Sequence, residues 1–379
     1  MEKTAEQISR EVYQTTKQFY CEDRIEVQEI SRAYNAEVSE KARRLHGEAI
    51  IIDTCTFNLE DYGWHMQESG VTGINCTVPG VMDSAGDAMR KIADYYETIH
   101  DNSGHFLLVK KAEDIVTAKK EGKIGVIIGA QSCEFVHHHD VFSAVEVFQR
   151  MGLRVMQIAY NHRTFAADGC YTGTNCGITQ DGQKLIRAME HHGVTVDLSH
   201  VGERSTLEAM DYAEKPVIFS HANPRGLFVH PRNITDEQAK KCAATGGVVG
   251  VSAYPITLWD GEHFPTIDTF IDCIRYYVDL VGVDHVGIGI DSNATAGAYE
   301  HREILYFSKL LKTGSNTNSL GYKSYMAGRG AKGCFVDGVE SLANFVNITD
   351  KLLKRGFTHE ETKKILGENW LRVFRETWK

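Results

Sequence analysis

Three polar side chains follow short apolar runs of the chain and are of types that bind metal ions. His200 ends the stretch "VTVDLSH", His221 ends "PVIFSH", and Asp291 follows "HVGIGI". Neutral imidazoles and a carboxylate suit zinc, iron or manganese, and a bound ion can activate water for hydrolysis. If the runs are neighbouring parallel strands, the three side chains meet at one edge of the sheet. The chain has 17 histidines, so a metal site and a pair of ordinary loop histidines both remain open from these residues alone.

The elements that would position these side chains are short runs rich in β-branched residues. The runs lie at residues 50–55, 71–77, 124–129, 154–159, 194–198, 216–220, 247–252 and 285–290. Between them are amphipathic stretches that end at glycine, such as "DVFSAVEVFQRMG", "GQKLIRAMEHHG" and "DTFIDCIRYYVDLVG", as helices commonly do. Apolar strands separated by helices predict a parallel sheet that is covered on both faces. Eight such units predict an α/β fold, a (β/α)8 TIM-type barrel. A doubly wound open sheet is the alternative, although no GxGxxG follows an early strand.

The chain is predicted to consist of an N-terminal helical extension, residues 1–47, and a barrel catalytic domain, residues 48–379. The extension has apolar residues three and four apart, as in "ISREVYQTTKQF", and no strand signal. Residues 292–337 are rich in Gly, Ser and Asn and predict a long loop after the eighth strand, where barrels place substrate contacts. The stretch "DGCYTGTNCG" predicts a loop over the barrel mouth.

Composition excludes several classes of function. The formal charge of −10 and the absence of a basic cluster argue against a nucleic-acid partner. No apolar run approaches the roughly 18–20 residues of a membrane span, and the charged N-terminus does not resemble a signal peptide. Nine cysteines without a CxxC pair favour reduced thiols, so we expect a cytoplasmic protein that acts on a small molecule.

Longer stretches of the chain resemble the membrane (renal) dipeptidase family of zinc peptidases, which are amidohydrolase-like barrels. The resemblance spans roughly residues 48–379. The matching stretches are "GLRVMQIAYNHRTFAADGCYTG", "GVTVDLSHVGERSTLEAM", "KPVIFSHANPRGLFVHPRNITDEQ", "TGGVVGVSAY", "HVGIGIDSN" and "ILGENWLRVFRETW". The order "DLSH…SH…RN", with the arginine eleven residues after the second histidine, makes the resemblance specific.

The resemblance implies a role for each of the polar residues. His200 and His221 would be ligands of one metal of a two-metal site, and Asp291 would ligate or activate the attacking water. Arg232 would pair with a substrate carboxylate, for which its planar guanidinium is suited. The resemblance also implies a homodimer, in which the N-terminal helices could take part.

Other positions depart from the family pattern. Tyr160, with Asn161, stands where the family has a histidine that polarises the scissile carbonyl. Both are expected to contact the substrate, and tyrosine could donate a hydrogen bond there. The family's His-x-Asp on strand one is Cys55-Thr56-Phe57 here, and its bridging glutamate aligns with Gln131. Phenylalanine cannot bind a metal, and a neutral amide is a weaker bridge than a carboxylate. We therefore expect one zinc ion rather than two, with iron as the alternative, held by His200 and His221 with Asp291, Cys55 or Gln131.

Cys55 has two interpretations. Its thiolate would favour zinc or iron over magnesium, but a cysteine at a strand end is commonly a small buried apolar residue.

Three functions remain open. The first is a metal-dependent hydrolase of an amide or related C–N bond in a small, carboxylate-bearing, dipeptide-like substrate. The second is a mononuclear metal enzyme of another class, a lyase or an oxygenase-like enzyme, since an altered metal count often accompanies altered chemistry. The third is a non-catalytic binding protein, which would have no need for both histidines.

Overall fold

The computed structural model of the protein describes residues 24–56, 59, 63–291 and 335–378. Within them, nine strands form one sheet in which every pairing is parallel. The strands are β1 Ile52–Thr56, β2 Gly73–Thr77, β3 Phe106–Leu108, β4 Ile124–Ala130, β5 Leu153–Gln157, β6 Thr195–Asp197, β7 Ile218–Phe219, β8 Val248–Val251 and β9 Val286–Ile288. All eight predicted runs overlap a strand, so that prediction is confirmed. β3 lies outside them, because three residues are too few to show a pattern.

Eight of the strands follow one another around a nearly closed barrel. Hydrogen-bonded neighbours run in the order β1-β2-β4-β5-β6-β7-β8-β9, and β3 pairs with the first residues of β4. Side chains of β1 link it to the last strand. Thr54 Oγ1 donates to Ile288 O at 3.0 Å, and Ile290 N donates to Asp53 Oδ1 at 2.8 Å. The (β/α)8 TIM-type barrel is therefore confirmed, and the doubly wound alternative is wrong.

Helices lie between the strands and at both ends of the described chain. They are α1 Arg24–Ala36, α2 Glu40–Glu48, α3 Trp64–Gln67, α4 Ala85–Asp101, α5 Ala112–Glu121, α6 Val141–Arg150, α7 Gln180–His192, α8 Glu203–Tyr212, α9 Asp236–Ala244, α10 Ile267–Val281, α11 Phe345–Lys354, α12 His359–Lys363 and α13 Asn369–Thr377. The three predicted glycine endings are confirmed: Gly152, Gly193 and Gly282 follow α6, α7 and α10 with φ of 107°, 80° and 86°. In the described part of the chain, none of the helices has the length and hydropathy to cross a bilayer.

The C-terminal helix closes the end of the barrel where the strands begin. Ile52, Ile218 and Val248, each at the start of its strand, form one apolar cluster with Trp370 of α13. Trp370 is fully buried, and a Cβ at Gly287 of β9 would lie 2.4 Å from its ring. Only glycine leaves room for the indole at that position. The opposite end of the barrel, where the strands finish, is left for a functional site.

The N-terminal helices pack on the segment that precedes and forms α11. Ser31 Oγ of α1 donates to Asn344 Oδ1 at 2.8 Å. His46 of α2 is buried between Thr349 Oγ1 and Ser69 O, each 2.8 Å from one ring nitrogen. From residue 24 onward, the predicted extension is helical and is joined to the barrel by buried polar contacts.

Candidate metal centre

The polar residues predicted from the sequence lie together at the mouth where the strands end. Cys55 is in β1, Gln131 follows β4, His200 follows β6, His221 follows β7 and Asp291 follows β9. His200 and His221 place their Nε2 atoms 2.9 Å apart, with ring centroids 5.0 Å apart. The structure therefore brings the predicted residues together, and their roles stay predictions.

The backbone at this mouth adopts an uncommon conformation. His200, Asp291 and Asn161 have φ of 66°, 54° and 60°, in the left-handed region. Four non-glycine residues in the described chain have positive φ, so three of the four are at this site. Such residues persist where the surrounding structure holds them, and they cluster at functional sites.

Hydrogen bonds to the two Nδ1 atoms decide where each imidazole carries its proton. His200 Nδ1 lies 2.7 Å from Asn161 Oδ1, an oxygen that can only accept, so this nitrogen carries a hydrogen. Ser220 Oγ donates its hydrogen to Asp197 Oδ2 at 2.5 Å. The same hydroxyl lies 2.7 Å from His221 Nδ1 and accepts from it. Both Nε2 atoms are then left with lone pairs.

Two lone pairs that face each other across 2.9 Å repel unless a proton or a cation lies between them. Burial, with the Arg232 guanidinium nearby, lowers the pKa of both imidazoles well below the usual value, which disfavours the proton. Two nitrogens at about 2.0–2.1 Å from one zinc ion are about 3.3–3.4 Å apart at a tetrahedral angle, so the observed 2.9 Å is a few tenths of an ångström short of that spacing. The separation of the two Nε2 atoms is therefore close to that of two ligands of a single ion.

Asp197 organises the strand ends beneath His221, and the sequence analysis did not identify it. Its carboxylate accepts from Ser199 N, Ser220 N and Gln157 Nε2, each at 3.0 Å, as well as from the Ser220 hydroxyl. Carboxylates that orient a ligating histidine through its second nitrogen are a common feature of metal sites. The signal was present in "DLSH", where the carboxylate precedes His200, but through Ser220 Oγ it acts on His221 after the next strand.

Cys55 and Asp291 lie close to His221, and Gln131 lies beside Cys55. Cys55 Sγ is 3.5 Å from Asp291 Oδ1 and accepts from Gln131 Nε2 at 3.3 Å. Gln131 Nε2 also donates to Thr77 Oγ1 at 3.0 Å. The amide N–H of Gln131, rather than its carbonyl oxygen, faces the thiol. Gln131 as a metal ligand stays a prediction, and the structure adds a contact with Cys55 that the sequence could not predict.

Burial changes the acidity of these groups. The pKa of Asp291 is raised to about 6 by burial, against the opposing effect of Arg232. Burial also raises the pKa of the Cys55 thiol, and the Asp291 and Asp53 carboxylates raise it further. A cation at the site would reverse this effect, because a bound metal ion stabilises the thiolate.

Arg232, Tyr160 and Asn161 surround the histidine pair. Arg232 is buried, and its Nη2 donates to His221 O at 2.7 Å. The Tyr160 ring stacks on His200 with centroids 4.0 Å apart. Asn161 accepts from His200 Nδ1 and so orients a candidate ligand, and its contact with substrate stays a prediction.

A loop clamps the two left-handed residues from above, as the sequence predicted for "DGCYTGTNCG". Cys170 N donates to His200 O, and Tyr171 N donates to Asn161 O, both at 2.8 Å. A Cβ at Gly169 would lie 2.2 Å from the Asn161 carbonyl carbon. Only glycine permits this close approach of backbone to backbone.

The donor set fits a metal ion. Cys55, His221 and Asp291 place one ligand atom each within 4.8 Å of one another. His200 is outside that trio but lies beside His221. Two imidazoles, a thiolate and a carboxylate are donors that zinc takes in tetrahedral sites, and iron also binds imidazole and thiolate. Phe57 and residues 292–334 lie outside the described residues.

Comparisons with known proteins agree on one family. The family model described as membrane dipeptidase (peptidase family M19) matches residues 40–312 and 328–379. Dipeptidase tcpJ of Claviceps purpurea (strain 20.1) is 26% identical over 293 residues, which cover 76% of this chain and 58% of that protein. The chain spans between about half and two thirds of the length of the curated relatives it matches.

Solved structures show the same architecture. A crystal structure of an amidohydrolase from Pseudomonas aeruginosa is 33% identical with a TM-score of 0.76, covering 89% of this chain and 99% of that one. A metallopeptidase from Rhodobacter sphaeroides, solved with a phosphinate mimic of the dipeptide L-Ala-D-Ala, has a TM-score of 0.69 at 16% identity. It covers 87% of this chain and 100% of that one, and it is similar in fold.

Proposed function

The chain belongs to the membrane dipeptidase family (peptidase family M19), and from that premise we propose that it is a metal-dependent hydrolase. Its proposed substrate is small and dipeptide-like, with a free carboxylate and an amide or related C–N bond that is cleaved. The observation that carries the proposal is the 2.9 Å separation of the Nε2 atoms of His200 and His221, whose Nδ1 atoms are each in contact with another polar side chain.

His200 and His221 would hold the ion, with Asp291 and Cys55 completing the donor set. We propose one zinc ion, with iron as the alternative, because Phe57 and Gln131 supply less negative charge than the family's aspartate and glutamate. When bound, such an ion lowers the pKa of water to about 7 and polarises a carbonyl.

The remaining residues would bind and orient the substrate. Arg232 would pair with the substrate carboxylate, since its guanidinium makes a single hydrogen bond among the described residues. No carboxylate of that part of the chain lies within ion-pair distance of it. A buried cation without a partner is unfavourable, and an anionic substrate group would supply the missing charge. Tyr160, held against His200, would donate a hydrogen bond to the scissile carbonyl, and Asp291 would accept a proton from water.

The alternative is a mononuclear metal enzyme of another class on the same barrel. The specific observation in its favour is the thiol of Cys55, 3.5 Å from Asp291, in place of the family's histidine. Homodimer formation and a cytoplasmic location stay predictions of the sequence.

Metal content and turnover test the proposal together. Protein purified without added metal is analysed for zinc and iron and assayed with a panel of dipeptides and their C-terminal amides. We expect His200→Ala to lose the ion and dipeptide hydrolysis in parallel, while His138→Ala, on the exposed surface, keeps both. Full hydrolysis by metal-free His200→Ala would refute the metal role. Metal binding without hydrolysis of any dipeptide would favour the alternative.

A further inference from the structure

A second buried donor lies beside Arg232 at the barrel mouth. His230, two positions before Arg232, has 7% of its surface exposed. Within the described residues, its Nε2 is a buried atom without a hydrogen-bond partner. Its neighbour Val229 is 93% exposed, so the ring is buried at the rim of the barrel rather than in its core.

The turn that contains His230 fixes which ring nitrogen carries the hydrogen. His230 O accepts from Asn233 N at 3.0 Å, with Pro231 at the second position, as turns of this kind prefer. His230 Nδ1 accepts from Arg232 N at 3.2 Å, so it has no hydrogen of its own. The hydrogen of the neutral ring is therefore on Nε2, and a buried N–H without an acceptor costs about 1–3 kcal/mol.

The surroundings of the ring connect it to the metal centre. The Tyr171 ring meets it edge-on with centroids 6.4 Å apart. Tyr171 N in turn donates to Asn161 O, and Asn161 binds His200. His230 therefore contacts both Tyr171, in the loop that covers the metal centre, and Arg232, which donates a hydrogen bond to His221 O.

We propose that the Nε2–H of His230 donates a hydrogen bond to the substrate carboxylate that pairs with Arg232, and so makes the site selective for a free carboxylate. This inference rests on the proposed function, because it assumes a carboxylate-bearing substrate. A carboxylate offers two oxygens, one for each donor. A carboxamide offers one oxygen, and its NH2 group would face a donor.

His230 contributes a neutral donor rather than a second cation. Burial, with Arg232 and Arg225 nearby, lowers its pKa to about 4. Of these two donors, only Arg232 is charged, and specificity arises from the two donor directions.

The variant His230→Asn removes the Nε2–H donor but keeps the acceptor that stabilises the turn. Asparagine accepts from a backbone N–H two residues on and is favoured at the first position of such a turn, so the bond to Arg232 N is retained while Nε2–H is lost. The probes are a phosphinate mimic of a dipeptide and the same mimic with a C-terminal carboxamide, titrated into the metal-loaded protein. We expect the variant to bind the carboxylate probe about tenfold to a hundredfold more weakly and the carboxamide probe within twofold of wild type.

Equal weakening of both probes, or no weakening, would show that His230 serves only the turn, and the inference would be overturned. A wild-type protein that binds the two probes equally, or neither, also overturns it. Dipeptide hydrolysis is measured separately. If no dipeptide is hydrolysed but the carboxylate preference depends on His230, the proposed function is wrong and the inference stands.

Discussion

At the residue scale, the chemistry of His200 and His221 depends on the hydrogen-bond partner of each Nδ1 atom, because that partner decides whether Nε2 is free to bind a metal ion. Asn161 accepts from His200 Nδ1, and Ser220 accepts from His221 Nδ1 because its own hydrogen goes to Asp197. Each ring is thereby held in one tautomer and one orientation before any ion arrives. Second contacts of this kind commonly set metal affinity.

Replacing the serine tests this arrangement. Ser220→Ala removes the acceptor of His221 Nδ1–H, and we expect metal affinity to fall about tenfold to a hundredfold. Affinity is measured by competition with a chelator. Ser205→Ala is the matched control, since Ser205 is equally buried but accepts from Asp168 N instead. Affinity equal to wild type in Ser220→Ala would contradict the role of the hydroxyl.

The thiol at the centre has its own test. If Cys55 binds the ion, protein loaded with cobalt(II) shows thiolate-to-metal charge-transfer absorption, and Cys55→Ser loses it. Cys133→Ser, at another buried cysteine whose Sγ donates to Ile158 O, keeps it. A wild-type spectrum without this absorption would mean that Cys55 only packs at the strand end.

At the scale of elements, the backbone at the strand ends packs closely against the loop that covers it. His200 and Asn161 have left-handed backbones, which are unfavourable for residues with side chains. Backbone donors from Cys170 and Tyr171 hold them there. The loop between β5 and α7 thus helps to hold the candidate metal centre.

Two glycines of this loop provide a matched comparison. An added Cβ at Gly169 would lie 2.2 Å from the Asn161 carbonyl carbon, whereas one at Gly173 would meet nothing within 4 Å. We expect Gly169→Ala to lower the free energy of unfolding by about 1–3 kcal/mol and to weaken metal binding, because Asn161 positions His200. Gly173→Ala changes neither. Normal metal affinity in Gly169→Ala would show that the loop does not position the ligand.

At the scale of the whole molecule, the N-terminal helices pack against the barrel and are joined to it by buried hydrogen bonds. His46 joins α2 to Thr349 of α11 and to the backbone before β2, and burial lowers its pKa to about 4. Because the unfolded chain takes up this proton near pH 6.5, the native state loses stability as pH falls from about 6.5 toward 4.

This predicts a specific difference between variants. From pH 7.5 to 4.5, wild type should lose about 2–3 kcal/mol of unfolding free energy because of His46. The variant His46→Gln lacks the imidazole, so its loss over the same range should be smaller by that amount. His359→Gln, on the surface, should follow wild type. The free energy of unfolding of each protein is measured by denaturant unfolding at both pH values. An identical pH dependence in His46→Gln would mean that the buried ring accepts its proton without penalty.

The sequence predicted the barrel, and it predicted which polar residues meet at the barrel mouth, because both depend on local patterns. Apolar runs must be buried on both faces, and residues after parallel strands meet at one mouth. What it could not predict depends on register between strands. Gln157 and Asp197 meet only because β5 and β6 pair in one register. The bond between Asn161 and His200 likewise depends on the conformation of two loops, which no short motif specifies.

The most direct test of the account is an anomalous-diffraction map of the metal-loaded protein at the zinc and iron absorption edges. The account predicts one peak at the histidine pair, about 2.0–2.1 Å from both His200 Nε2 and His221 Nε2. A map with no peak there, and with the two nitrogens still in direct contact as a hydrogen-bonded pair, would contradict it.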